Sequence, residues 1–444
     1  MRVIAPVEAD AVDILSSQLT GPAEITLAPG TFRLKGSVTI PDTVHRISGK
    51  GATVVLEEDG CAAFLIKDRS ALAQPLIIED IEFAGPPSSR AVEISGSHGV
   101  TIRNCQVEGM SLVLTGQDRR TSSGLHVMGN RCNGVGHEKR RRGGIELRYV
   151  RNAVVSGNQV ENYTHGIMWW GGEANYKKKS YEKDVRGASD IIIEDNVVRD
   201  VSMGGIWGSR GERISVERNV VERCGDVGID FEGCRDAVAR DNIVRECRFG
   251  GLAVFFSAEN VRFSGNAVSS TRADWPVLRF FNVSQRPGNL RGLVVDGNFL
   301  QGIGCVTSAD DANGCTGNLL FKKNQLVNVR LELVANNASG PAVLDNMFIL
   351  TQPLPEGEAW VSLRTFGDGA VVRRNIFQRG ESDGRLTAIR IVTPRGGEAV
   401  ISDNLFSAAV GGVEVDRRAA LIFKNNKGGG EDLSPPLRIE TTAK

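Results

Sequence analysis

Asn219 to Asn242 reads NVVERCGDVGIDFEGCRDAVARDN, and this stretch decides the fold. After the first Asn comes a short β-branched strand, VVE. A loop ending in Gly leads to a second strand around GIDF. A third, DAVAR, runs into the next Asn. Short apolar runs bounded by Gly, Asn and Asp, with no helical period between them, read as strands. The stretch also holds the densest carboxylate cluster of the chain: Asp226, Asp230, Glu232 and Asp236.

The same grammar recurs on both sides. Upstream, VTIRN ends at Asn104, HVMGN at Asn130, VVSGN at Asn158, IIIEDN at Asn196 and ISVERN at Asn219. Downstream the series continues through Asn242, Asn266, Asn298, Asn324, Asn346, Asn375, Asn404 and Asn425. A repeat of this length without a helix inside it is the signature of a β-solenoid. The LxxLxL frame of leucine-rich repeats is absent. Asn tolerates the left-handed conformation that a sharp bend between strands requires. Each repeated Asn is therefore expected at such a bend, with Asn side chains hydrogen-bonding from coil to coil.

The pattern resembles the right-handed parallel β-helices of the pectate-lyase-like superfamily, with their so-called PbH1 repeats. LAPGTFRL at 27–34 also resembles the opening coil of that superfamily. The resemblance covers roughly residues 25–430. It implies an all-β, right-handed, single-stranded parallel β-helix of about 13–15 coils. One domain is expected over 1–430, with 1–24 as an N-terminal cap containing a short amphipathic helix. Residues 431–444, rich in Gly, Pro and charge, are expected as a tail. The resemblance does not name a reaction, because lyases, hydrolases, epimerases, phage tailspikes and adhesins share this fold.

Composition narrows the partners. Lys plus Arg and Asp plus Glu balance at 53 each, so the net basic signature of a nucleic-acid binder is missing. No apolar run approaches the ~18 residues of a membrane span. The first residues lack a basic segment followed by an apolar one, so no signal peptide is read; a chain trimmed of its leader would look the same. The eight Cys show no metal-binding spacing and are expected as buried, reduced thiols.

Aligning the units on their Gly-Ile or Gly-Leu step gives columns. The strands are GGIELR (143–148), HGIMWW (165–170), GGIWGS (204–209), VGIDFE (227–232) and GGLAVF (250–255). Ile145, Ile167, Ile206, Ile229 and Leu252 form an inward ladder. Alternation turns the next residues outward. One outward column is then Glu146, Met168, Trp207, Asp230, Ala253; the next is Arg148, Trp170, Ser209, Glu232, Phe255. Aromatic rings beside carboxylates are the composition of a sugar subsite. The alternative is a satellite core beneath a loop, since Trp is usually well buried.

Such a loop exists. Asn158 to Asn196 spans 38 residues against 23 for the next interval. The excess, 171–188, leaves from the strand carrying Trp170 and is expected to wall a groove. It contains Glu173, Tyr176, Lys177 to Lys179, Tyr181, Glu182 and Lys183.

Asp230 and Glu232 lie two apart on a strand, so both face one way with Cα atoms roughly 6.5–7 Å apart. Paired carboxylates are what glycoside hydrolysis requires, one as acid and one as base or nucleophile. The catalytic candidates are Asp230 and Glu232, with Asp226 as alternate partner. The substrate-binding candidates are Trp170, Trp207, Glu146, Arg148, His165, Trp169, Glu173, Arg210 and Arg279. No cofactor or resident metal is expected, and the substrate class is an oligo- or polysaccharide, bound by a monomer or homotrimer.

Two further readings stay open. A polysaccharide lyase or epimerase would neutralise a uronate with Arg or Ca²⁺, using Arg148, Arg210, His165, Lys177 or Arg279, with Asp226, Asp230 and Glu232 as Ca²⁺ ligands. The pectate-lyase Arg motifs, and the NTD, DD and RIK elements of polygalacturonases, are missing. The basic loop GHEKRRRGG at 136–144 is a candidate for holding an acidic sugar. The third reading is a non-catalytic, glycan-binding or tailspike-like β-helix.

Overall fold

The computed structural model describes residues 2–7, 10–21, 23–116, 122–135, 143–175, 178–182, 185–272, 274–281, 291–302, 305–307, 319–335, 340–352, 358–366, 369–380, 386–407, 410–428, 431–432 and 437–439. They fall into two compact units, 1–226 and 227–444. Each is a parallel β-solenoid, and among the described residues the turns number about 14 in all.

In the first unit, one sheet stacks Val38–Thr39, Ala62–Lys67, Arg90–Ser95, Ser111–Thr115, Gly143–Arg148, His165–Trp170 and Ile206–Ser209, all parallel. The expected helix is present as Val12–Gln18, with Leu15 buried. A second parallel sheet begins inside the segment read as a cap, because Arg2–Ile4 pairs in parallel with Ala23–Leu27. Ile145, Ile167 and Ile206 are aligned in register and fully buried. Burial of each such side chain contributes up to about 1.5–3 kcal/mol. No described helix is long and apolar enough to cross a membrane.

In the second unit the corresponding strands include Val227–Glu232, Gly250–Phe255, Leu278–Phe281, Arg330–Ala335, Ala359–Thr365, Leu386–Val392 and Val410–Asp416. Ile229 and Leu252 face each other in the interior. Part of the C-terminal segment is strand: Leu437–Ile439 pairs with Glu414–Asp416, and Glu431–Asp432 turns back antiparallel on Lys427–Gly428.

The Asn ladder is present in both units. In the first, Asn130 N–H donates to Asn158 Oδ1, Asn158 N–H to Asn196 Oδ1 and Asn196 N–H to Asn219 Oδ1, all at 2.9–3.0 Å. In the second it runs from Asn242 through Asn266, Asn298, Asn324, Asn346, Asn375 and Asn404 to Asn426. Each Oδ1 also accepts from the preceding Asn Nδ2, and each of these Asn is buried.

Two points correct the sequence reading. The left-handed residue is the one before the ladder Asn: Asp195, Arg218, Asp241, Lys323, Asp345, Arg374 and Asp403 all have φ between 52° and 58°. Gly265 and Gly297 fill the same slot. The ladder Asn holds its side chain inside the coil. The ends of the series also shift by one residue. Asn104 occupies the left-handed slot, and Cys105 stands in the ladder, its N–H donating to Asn130 Oδ1. Likewise Asn425 is left-handed and Asn426 is the ladder residue.

The exposed left-handed slots carry ion pairs between successive coils. Arg213 grips Asp190 at 2.6 and 2.9 Å, and Arg223 grips Asp200 at 2.6 and 2.8 Å. The hydrogen bonds from these guanidiniums hold both carboxyls below the usual Asp range. A depressed folded pKa contributes stability that is full above the unfolded value of about 3.9 and lost as pH falls through the folded value. The melting temperature of the protein is therefore expected to fall below about pH 4. The double variant Asp190→Asn, Asp200→Asn should show a shallower fall. The effect should be small and shrink in high salt, because the pairs are exposed. An unchanged pH profile in the variant would refute the assignment.

Among the described residues Cys61, Cys105, Cys132, Cys224, Cys234 and Cys247 are free, all but Cys61 buried. Burial pushes the Cys105 thiol up to about 12.

Candidate functional site

In the first unit the parallel register sets Glu146 beside Met168 and Arg148 beside Trp170, then Met168 beside Trp207 and Trp170 beside Ser209. These are the columns expected from alternation. Burial separates their members. Glu146 and Met168 are 2% and 4% exposed, whereas Trp170 and Trp207 are half-buried. The two indoles meet edge to face at 6.4 Å, and the His165 ring lies 4.9 Å from Trp207. Trp170, Trp207 and His165 thus form one aromatic cluster.

The charged residues around it are engaged. Glu146 Oε1 accepts from Gly143 N–H at 2.8 Å, and its Oε2 accepts from Arg148 Nε and Nη2, both at 2.9 Å. Glu173, nearly buried, accepts from Asn175 N–H at 2.9 Å and pairs with Lys178 Nζ at 3.0 Å. Lys178, one of three successive lysines, thus has a defined partner. Arg210 is 1% exposed and stands over the Tyr181 ring at 5.1 Å. The described part of the insertion is held together by the Glu173–Tyr181 bridge and by Glu182 N–H donating to the Glu173 carbonyl.

Trp169 is a correction. It is fully buried inside the coil, because alternation sends it opposite to Met168 and Trp170. Gly208 makes room for it: a Cβ there would lie 2.2 Å from the indole ring. Trp169 is a core residue and does not face a ligand. Tyr176, Lys177, Lys183, residues 136–142 of the basic loop and 282–290 lie outside the described residues.

In the second unit Asp230 and Glu232 share one face of Val227–Glu232. Asp230 pairs in register with Ala253, and Ala253 with Arg279. Glu232 pairs with Phe255. Asp230 is 5% exposed, and Glu232, Phe255 and Arg279 are half-buried. Gly250, with φ of 151°, stands beside Arg279, where a Cβ would make ordinary contact at 3.5 Å with Arg279 Cβ. The guanidinium of Arg272 covers the Trp275 ring at 5.4 Å in the loop before Leu278–Phe281. Two carboxylates, an aromatic ring and a cation therefore occupy neighbouring strand positions of one sheet face. Asp226 ends the first unit, at the turn that precedes Val227. Among the described residues no group of three or more His, Cys, Asp or Glu side chains is placed to hold a metal ion.

Residues 176–284 match the family described as the right-handed beta helix region. The chain is a right-handed parallel β-helix. Among solved structures, this β-helix is similar to bacteriophage phi29 gene product 12 in its pre-mature form, at 12% identity and a TM-score of 0.59 over 95% of this chain and 71% of that one. It is also similar to the Dettilon tailspike protein, at 14% identity and TM-score 0.44 over 88% and 68%. The A-module of the mannuronan C-5 epimerase AlgE6 of Azotobacter vinelandii is similar at 13% identity and TM-score 0.40 over 96% and 94%. At such identities the likeness is one of fold alone. No curated protein sequence matches the chain.

Proposed function

We propose that this β-helix acts on a carbohydrate, cleaving or transferring a glycosidic bond, with Asp230 and Glu232 as the acid/base pair. The observation that carries the reading is their shared strand face, with Phe255 directly beside Glu232 and Arg279 in the Asp230 column. The buried Asp230 and the more exposed Glu232 sit in unequal surroundings. That inequality is what divides two carboxyls into an acid and a base. Asp226 is the alternate partner. Half-buried aromatic rings match the C–H face of a pyranose, so Phe255 is proposed as a sugar contact beside the pair, and Trp170, Trp207 and His165 as sugar contacts of the first unit in their own right.

The test is a panel of oligo- and polysaccharides scored in parallel for new reducing ends and for the ultraviolet absorbance of an unsaturated uronate. A glycoside hydrolase yields reducing ends without that absorbance, and a lyase yields both. No turnover on any glycan of a broad panel would defeat the enzymatic reading and leave a binding protein.

A further inference from the structure

In the second unit, the short strand after each ladder Asn turns two residues outward. Phe299, Gln325, Met347, Ile376 and Leu405 stand in one register column. Gln301, Val327, Ile349 and Gln378 stand in the next. Ala267 and Ser269 extend the face by one coil, and Ser407 follows Phe406 at its other end. None of these positions is charged; Arg245 and Lys427 bound the strip. Phe299, Ile376 and Leu405 are 37%, 43% and 50% exposed. Behind them the rings of Phe348, Phe377 and Phe406 stack at 4.8 and 4.9 Å, so the face has a rigid backing.

The other strand faces carry charge. The equivalent strands of the first unit present Glu108, Arg131, Glu161, Arg199 and Glu222 on successive coils. In the second unit the strands before the bend present Asp296, Lys322, Arg373 and Lys424. The sheet holding Asp230 presents Arg279, Glu332, Arg390 and Glu414. A contiguous apolar patch inside a polar border marks an interaction surface.

The missing charge selects the occupant. A two-fold contact sets a face against its own copy, so a charge near the axis meets its like. Among the described strand faces of the second unit, this one alone avoids that conflict. A different protein imposes no such condition and is usually met with complementary charges. A lipid surface calls for a fringe of available cations. The cations at this border, Arg373 and Arg374, are paired with Asp403 and Asp345.

We propose that a second copy of this chain docks on this face, antiparallel, with the two-fold axis lying along the strands between Gln325 and Met347. That axis sets Phe299 against Ile376 of the second copy, Val327 against Ile349, and Gln301 against Gln378, whose amides both donate and accept. The apolar strip measures about 24 Å by 10 Å. With a polar rim on each side it approaches the roughly 800 Å² per partner of a specific dimer. The inference does not depend on the chemistry assigned to Asp230 and Glu232.

Sedimentation velocity of the full chain at about 1 to 300 µM tests it. The natural protein should pass from monomer to dimer within that range. Ile376→Arg should weaken the dimer about tenfold or more, because it buries an unpaired charge in the apolar centre. Phe299→Glu should do the same. The two substitutions together should restore the dimer, since each introduced carboxylate then meets an introduced guanidinium of the other copy. Gln106→Arg, on the charged strand face of the first unit, should leave the dimer unchanged. Thermal melts check that the variants fold, as expected for outward side chains. A monomer throughout, a trimer, or a dimer indifferent to Ile376→Arg overturns the proposal. A double variant no better than the single ones overturns it as well. Binding of monomeric protein to anionic phospholipid vesicles, lost in Ile376→Arg, gives the face to a lipid surface and overturns it too.

Discussion

Asp230→Asn and Glu232→Gln are each expected to lower turnover on the true glycan by about 10²–10⁴-fold while the protein stays folded. The magnitude follows from removing a group that gives or takes a proton in the transition state. The fold should survive because amide and carboxyl are nearly isosteric and both side chains leave the interior, where Ile229 and Phe231 pack instead. Thermal melting of each variant checks that half of the expectation. Binding of substrate should change far less than turnover, since the amides keep their hydrogen-bonding reach. Full activity in both variants would remove this pair from the chemistry. Loss of activity in one variant only, with Asp226→Asn also inactive, would move the second role to Asp226.

The columns of this site were legible because side chains alternate along a strand with period two. Once Ile145, Ile167 and Ile206 are taken as inward, Glu146, Met168 and Trp207 must share a column, and Asp230, Ala253 and Arg279 another. The same rule places Trp169 inside. Grouping it with Trp170 followed composition against alternation, and the structure corrects it. Residues at bends were not legible in this way. Arg210 sits in a left-handed bend, where alternation says nothing about direction, and its burial depends on Tyr181 of the insertion. Engagement of Glu146 by Arg148 is equally a matter of side-chain conformation.

The Asn series was legible as a ladder but not residue by residue. Asn is suited both to the left-handed slot and to the buried ladder position, so residue type alone does not separate them. Counting from the strand end does. Gly397–Ser402 is followed by left-handed Asp403 and then ladder Asn404. The strand Ala419–Lys424 is followed by left-handed Asn425 and then Asn426. By the same count His98–Arg103 puts Asn104 in the bend and Cys105 in the ladder. Cys105 fits because that end of the series needs only an N–H aimed at Asn130, while its sulfur contacts the Ile78 carbonyl at 3.9 Å.

The adjacent residues Asp345 and Asn346 separate the two roles experimentally. Asn346→Ala is expected to destabilise the second unit by roughly 3–6 kcal/mol. Asn346 Oδ1 accepts from both the N–H and the Nδ2 of Asn324 at 2.9 Å. Its own Nδ2 donates to the Phe321 carbonyl at 3.1 Å and to Asn375 Oδ1 at 3.0 Å. Truncation therefore strands two buried donors and weakens two acceptors, where each orphaned group costs about 1–3 kcal/mol. Water cannot replace the lost partners without entering the coil. Asp345→Gly should change stability little, since Gly adopts φ near 56° freely and the Arg374 pair it loses lies at the surface. Denaturant unfolding, followed by amide exchange to locate the opening coils, measures both. Exchange should accelerate first in the strands flanking position 346, because a solenoid couples each turn chiefly to its neighbours. Equal stability of the two variants would mean that the ladder decorates the bend without holding it.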